Sequence, residues 1–230
     1  MNLMLSIPII YEDNHLLVVE KPVNVLSQAD RTGDPDMLTL LKQDLKERYN
    51  KPGNVYLGLV HRLDRPVGGV MVFAKTSKAA GRLSKQFVDG SFEKIYLAVV
   101  HGRPKKSAGQ LVHYLKKDRE LNKVAASAGE VSGSRKAVLN YQVLESQKGC
   151  SLVRIELITG RPHQIRAQFA AEGTPLIGDQ KYGIPTKDHV QIALWSCQVG
   201  FSHPTLKEWM AFKLLPPTRL YPWNQFNWDY

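Results

Sequence analysis

The chain has 230 residues, 43% hydrophobic and 23% charged, with a formal net charge of +10, a composition able to bury a sizeable core. No apolar run approaches the about 18 to 20 residues of a transmembrane helix, and Met1 to Ile10 lacks a basic start and a small-residue cleavage site, so a soluble cytoplasmic protein is expected. Cys150 and Cys197 lie far apart without CxxC or zinc-like spacing, which argues against a disulfide framework or a metal site.

The charge is uneven along the chain. Residues 1 to 60 carry 6 basic and 8 acidic side chains, residues 61 to 170 carry 20 and 8, and residues 171 to 230 carry 5 and 5, giving −2, +12 and 0. A basic excess confined to the middle suits a polyanion-binding face, because Lys and Arg gain affinity for nucleic acid by displacing condensed counterions.

In chain order, Ile7 to Pro22 reads as a turn at Glu12-Asp13-Asn14 followed by a β-branched strand ending at Lys21-Pro22. Asp34 or Asp36 can cap a helix with Met37, Leu38, Leu41 and Leu45 on one face. Lys51-Pro52-Gly53-Asn54 breaks the chain before LVHRLDRPVGGVMVFAK (59–75), in which Asp64 sits in a turn between Arg62 and Arg65 and Val70 to Ala74 reads as a fully buried strand. Opposite charge on both sides favours an ionised carboxylate and a nucleophile. Asp in a Gly/Pro turn can equally be turn chemistry.

Thr76 or Ser77 caps a second helix, with Ala80, Leu83 and Phe87 on one side, Lys78, Arg82 and Lys85 on the other, and Gly90 as its stop. Lys94 to His101 is a strand containing Tyr96. From Gly102 to Arg135 periodicity weakens, and mobile loops or long hairpins are expected. Strands return at Ala137 to Leu144 and Leu152 to Ile158. A helix from about His163 to Ala171 ends at Gly173, Gly178 to Gly183 forms a tight turn, and two strands follow at Val190 to Phe201 and Glu208 to Leu214. Many strands with few helices indicate an α+β domain, mixed and mostly antiparallel, spanning 1–230 as one unit.

Five segments in this order, IIYEDNHLLVVEKP, HRLDRPVGGVMVFAKT, EKIYLAVVHG, LITGRPHQIR and GDQKYG, resemble the RluA-type pseudouridine synthase family across nearly the whole chain. The resemblance implies a central sheet with flanking helices and an RNA-binding cleft. It implies isomerisation of uridine in structured ribosomal or transfer RNA without cofactor or metal. Asp64 would be the catalytic carboxylate, attacking C1′ or taking a ribose proton. Tyr96 would lie against the base and accept the proton lost from C5; the alternative is a core tyrosine. Arg166 would pair with the aspartate and Arg62 would fill the gap left by a flipped nucleotide. His61, Arg65 and His163 join the substrate-binding candidates, and Lys78, Arg82 and Lys85 are candidate phosphate contacts on charge alone.

The sequence departs from the family pattern at Val67 and Gly68, where Thr and Ser are commoner, and at Gln168 and Trp195, where His is frequent. The appended S4-type RNA-binding module of many relatives is not expected here. Rival readings are a catalytically silent RNA-binding or ribosome-assembly protein and an enzyme of free nucleosides. An intact Asp64, Tyr96 and Arg166 weighs against the first, and the basic middle segment against the second.

Overall fold

A computed structural model describes residues 6–118, 120–185 and 190–228. The chain forms two compact units, one made of residues up to Glu93 with Ser196–Leu214, the other of Lys94–Trp195 with the segment from Leu215.

In the first unit, β1 (Ile9–Glu12) and β2 (Leu16–Lys21) form a hairpin. Asp13 makes its turn, the carboxylate accepting the backbone N–H groups of His15 and Leu16 at 2.7 Å each. After the two-residue β3 (Gly58–Leu59), β4 (Gly68–Ala74) runs antiparallel to β2 in a register from Leu16 opposite Ala74 to Lys21 opposite Gly69. Every residue of β4 is buried, as its unbroken apolar run requires, because helices cover both faces.

On one face Leu17, Val19, Met71 and Phe73 pack with Met37, Leu41 and Leu45 of α1 (Met37–Arg48). On the other, Leu16, Val18, Val70 and Val72 pack with Ala79 and Leu83 of α2 (Ser77–Asp89). The side-chain period of two along a strand produces this split. Asp36 caps α1 through the Thr39 N–H, Thr76 caps α2 through the Ala79 N–H, and Gly90 ends α2 at φ 80°. Each is a cap type the sequence signals.

The second unit is built on an antiparallel sheet whose spatial order departs from chain order. It pairs β5 (Glu93–His101) with β9 (Cys150–Leu157), β9 with β8 (Arg135–Gln147), β8 with β6 (Ala108–Asp118), and β6 with β7 (Lys123–Ser127). The stretch expected as loops or long hairpins is a hairpin: Tyr114 faces Ser127 and Asp118 faces Lys123. Its pattern is weak because the inward positions of β6 are Leu111, His113 and Leu115, so a polar ring interrupts the apolar alternation. α3 covers Gln164–Ala171.

The tail strands are β10 (Leu194–Ser202) and β11 (Trp209–Lys213). β10 starts later than expected. Ala193 bonds instead to Ile177 and Val99 backbone groups, outside a ladder. The α+β class with a mostly antiparallel sheet and flanking helices is the expected one. No helix of the described residues is long and apolar enough to cross a membrane.

Candidate active site

The candidate residues divide between the units: His61, Arg62, Asp64, Arg65, Lys78, Arg82 and Lys85 in the first, Tyr96, His163 and Arg166 in the second.

The Asp64 turn is clamped on both sides. Before it, the buried Ser27 hydroxyl donates to the Leu63 carbonyl at 2.8 Å and accepts the Leu63 N–H at 3.1 Å. Behind it, Lys21, with 0% of its surface exposed, sends Nζ to the carbonyls of Pro22, Arg65 and Val67 at 3.0, 3.1 and 2.8 Å. The Val67 N–H closes the turn on the Asp64 carbonyl at 2.9 Å. Leu63 and Val67 are buried while Asp64 is half-exposed. Burial pushes the Lys21 ammonium down to about 7, Asp64 acting against that shift and Arg65 with it.

Arg65 does not wall the turn as its position suggests. Its guanidinium pairs with Asp34 at 2.7 Å and donates to the Asn24 carbonyl, while the charge of Asp64 acts on Lys21. His61 anchors the motif: its Nε2 accepts the Val72 N–H of β4 at 2.9 Å, and its ring stacks on Phe87 at 5.6 Å. Arg62 is exposed. Val67 and Gly68 are buried, so the two departures from the hydroxyl-bearing pattern face the packed interior.

The charged face of α2 is exposed at Lys78 and Lys85, whereas Arg82 is half-buried and donates to the Pro204 carbonyl at 2.7 Å. Arg82, Lys85 and Lys207 line an open groove of about 310 Å³.

In the second unit Tyr96 sits in the middle of β5, buried, opposite Ile155. Lys94 shares its face two residues away and is also buried, which lowers the ammonium from its ordinary value. His163 caps α3 with a left-handed backbone, φ 51°. The Gln164 side chain fixes the approach, accepting from the Thr159 hydroxyl and the Arg161 N–H and donating to the Val138 carbonyl.

Arg166, one turn on, is buried in a two-pronged pair with Asp179: Nε at 2.8 Å and Nη2 at 2.7 Å. Its guanidinium lies 5.2 Å over the Tyr182 ring, and the Tyr182 hydroxyl meets His163 Nδ1 at 2.7 Å. Gln168, fully buried, reaches His113 and the Leu111 carbonyl, and Trp195 is buried.

Sequence reasoning missed Lys21, Ser27, Lys94, Asp179 and Tyr182 as parts of the site. Only a lysine closing an otherwise buried strand hinted at the first. Asp179 and Tyr182 lay inside a quoted motif that read merely as a turn.

The family model described as RNA pseudouridylate synthase matches residues 15–171. An uncharacterized RNA pseudouridine synthase of Aquifex aeolicus is 32% identical over 226 residues, covering 93% of this chain and 70% of that protein. The dual-specificity RNA pseudouridine synthase RluA of Vibrio vulnificus is 32% identical over 219 residues, covering 93% and 84%. Among solved structures, human RNA pseudouridylate synthase domain containing 4 superposes with a TM-score of 0.77 at 23% identity, over 91% of this chain and 88% of that one. That likeness concerns the fold.

Proposed function

The chain belongs to the RNA pseudouridylate synthase family, in its RluA type, isomerases that convert uridine in RNA to pseudouridine, and from that premise we propose that it modifies specific uridines of structured ribosomal or transfer RNA with Asp64 as the catalytic carboxylate. The observation that carries this reading is the clamped turn. Ser27 and Lys21 hold the backbone on either side of a half-exposed carboxylate, the preorganisation expected of a group that must meet a reacting atom in one geometry.

In the proposed reaction the N1–C1′ bond breaks, the uracil turns, C5 bonds C1′, the C5 proton leaves and N1 takes up a proton. Atoms balance without water or an external reactant. Asp64 attacks C1′ or removes a ribose proton to open the elimination route. Tyr96 lies against the base and receives the C5 proton, and Arg166 supplies positive charge to the carboxylate. Arg62 fills the gap left by the flipped nucleotide, with a stacking gain that offsets part of the roughly few kcal/mol of unstacking. His61, Arg65 and His163 shape the substrate-binding surface, and Lys78, Arg82 and Lys85 offer phosphate contacts. The two units act as one cytoplasmic catalytic domain that needs no metal or cofactor.

The test uses RNA labelled with tritium at uridine C5. Asp64→Asn should abolish tritium release and leave RNA binding near the wild-type level. Turnover retained by that variant would refute the catalytic assignment.

A further inference from the structure

The turn Gly178–Gly183 holds two things at once. Toward α3, the Asp179 carboxylate takes both prongs of Arg166, and the same carboxylate accepts the N–H groups of Lys181 and Tyr182 at 2.9 and 3.2 Å. Toward the β6–β7 hairpin, Lys181 Nζ donates to the Asn122 carbonyl at 2.9 Å and the Tyr182 hydroxyl accepts the Val124 N–H at 2.8 Å. The Tyr182 ring packs with Leu115, Val124 and Ala167.

The chemistry of the hydroxyl makes this more than packing. A phenol has one proton and two lone pairs. The Val124 amide can only donate, so it occupies one lone pair, and the proton and the second lone pair can both serve the 2.7 Å bond to His163 Nδ1, whichever imidazole tautomer is present. One atom therefore joins β7 to the N-cap residue of α3, while the ring beneath it carries the Arg166 guanidinium. The hairpin presents Lys116, Lys117 and Lys123 to solvent, cations fit for a phosphate backbone.

We infer that Tyr182 is a positioning residue that couples RNA held on the hairpin lysines to the setting of Arg166 and His163. This rests on the proposed function. RNA that engages the hairpin draws β7, and the Tyr182 hydroxyl carries the displacement to α3 without Tyr182 touching substrate.

The experiment compares Tyr182→Phe, which keeps the ring and removes only the hydroxyl, with Lys116→Ala/Lys117→Ala/Lys123→Ala and with the combination. Substrate is ribosomal and transfer RNA transcribed with C5-tritiated uridine. In the wild-type background the lysine replacements should lower kcat as well as raise KM, the kcat loss being about 10-fold, within the usual range of coupling between sites. In the Tyr182→Phe background the same replacements should raise KM equally and leave kcat unchanged. An equal kcat loss in both backgrounds would overturn the coupling, since a purely structural tyrosine leaves the lysine effect intact.

A second readout does not depend on turnover. Adding the same RNA should slow amide hydrogen exchange in residues 122–126 and 163–167 together in the wild type, and in 122–126 alone in Tyr182→Phe. Joint protection without tritium release would leave the coupling standing and refute the isomerase reading instead. Protection confined to 122–126 in the wild type, or absent from both segments, would overturn the coupling.

Discussion

Lys21 Nζ lies 2.8 Å from the carbonyl oxygen of Val67, 46 positions further along the chain, with no part of the lysine reaching solvent. A buried ammonium is costly unless hydrogen-bonded, and this one meets three carbonyls, two of them in the turn that carries Asp64. The last residue of β2 thus sets the geometry of a loop that sequence separation places far away.

Lys21→Met should lower unfolding stability by about 2 to 4 kcal/mol at pH 9, the penalty for leaving buried carbonyls without a donor. The sign of the pH dependence follows from linkage. The unfolded chain keeps this proton up to pH about 10.4, whereas the folded chain releases it near about 7. Between those values the unfolded state binds more protons, so this group's contribution to stability rises with pH. Urea midpoints at pH 6, 7.5 and 9 should show the wild-type advantage over Lys21→Met widening; a flat or narrowing gap would contradict the burial of the ammonium.

Two Arg–Asp pairs with the same 2.7 Å approach should respond differently to mutation. The Arg166 and Asp179 side chains are 6% and 0% exposed, those of Arg65 and Asp34 45% and 43%. Asp179→Asn should cost about 3 to 5 kcal/mol because it breaks a buried, two-pronged ion pair. Asp34→Asn should cost about 1 kcal/mol or less, as solvent-exposed pairs do. Denaturant titration of both variants measures the contrast, and equal losses would refute it.

Two glycines should move stability in opposite directions. Gly69 has φ 118°, and an added Cβ would fall 2.2 Å from the Ser196 carbonyl oxygen. Gly69→Ala should therefore destabilise by about 3 kcal/mol or more, from left-handed strain and a backbone clash. Gly81, inside α2, has nothing within 4 Å of that position, and Gly81→Ala should raise stability by up to about 1 kcal/mol through helix propensity. Thermal melts of the purified variants read both signs.

Acid stability should depend on Asp13. Burial acts to raise its carboxyl, but the N–H groups of His15 and Leu16, with His203 and Tyr11, outweigh that and hold it below its ordinary value. A carboxylate depressed in the folded state contributes stability above the unfolded pKa of about 3.9 that is lost as pH falls through the folded value. Asp13→Asn should flatten the acid limb of the stability curve and cost about 1 to 2 kcal/mol at neutral pH, since its amide nitrogen cannot accept the His203 Nε2 bond. An unchanged acid limb would show that Asp13 is not the group titrating there.

Local chemistry made much of this protein legible from residues alone. Asp36, Thr76 and Gly90 announce helix ends, Val70 to Ala74 announces a strand covered on both faces, and the order of five segments carries the family. Asp64 stands out within one of them. These signals act over a few residues, where backbone period, caps and turns are encoded directly.

What only the tertiary structure decided is which distant groups meet. Lys21 and Ser27 clamp the Asp64 turn, Arg65 turns to Asp34, His61 takes a strand amide, and Asp179 and Tyr182 hold Arg166 and His163. A buried carbonyl or guanidinium must find a partner wherever the fold brings one. That partner is chosen by strand register and helix placement, not by the residue's neighbours in sequence.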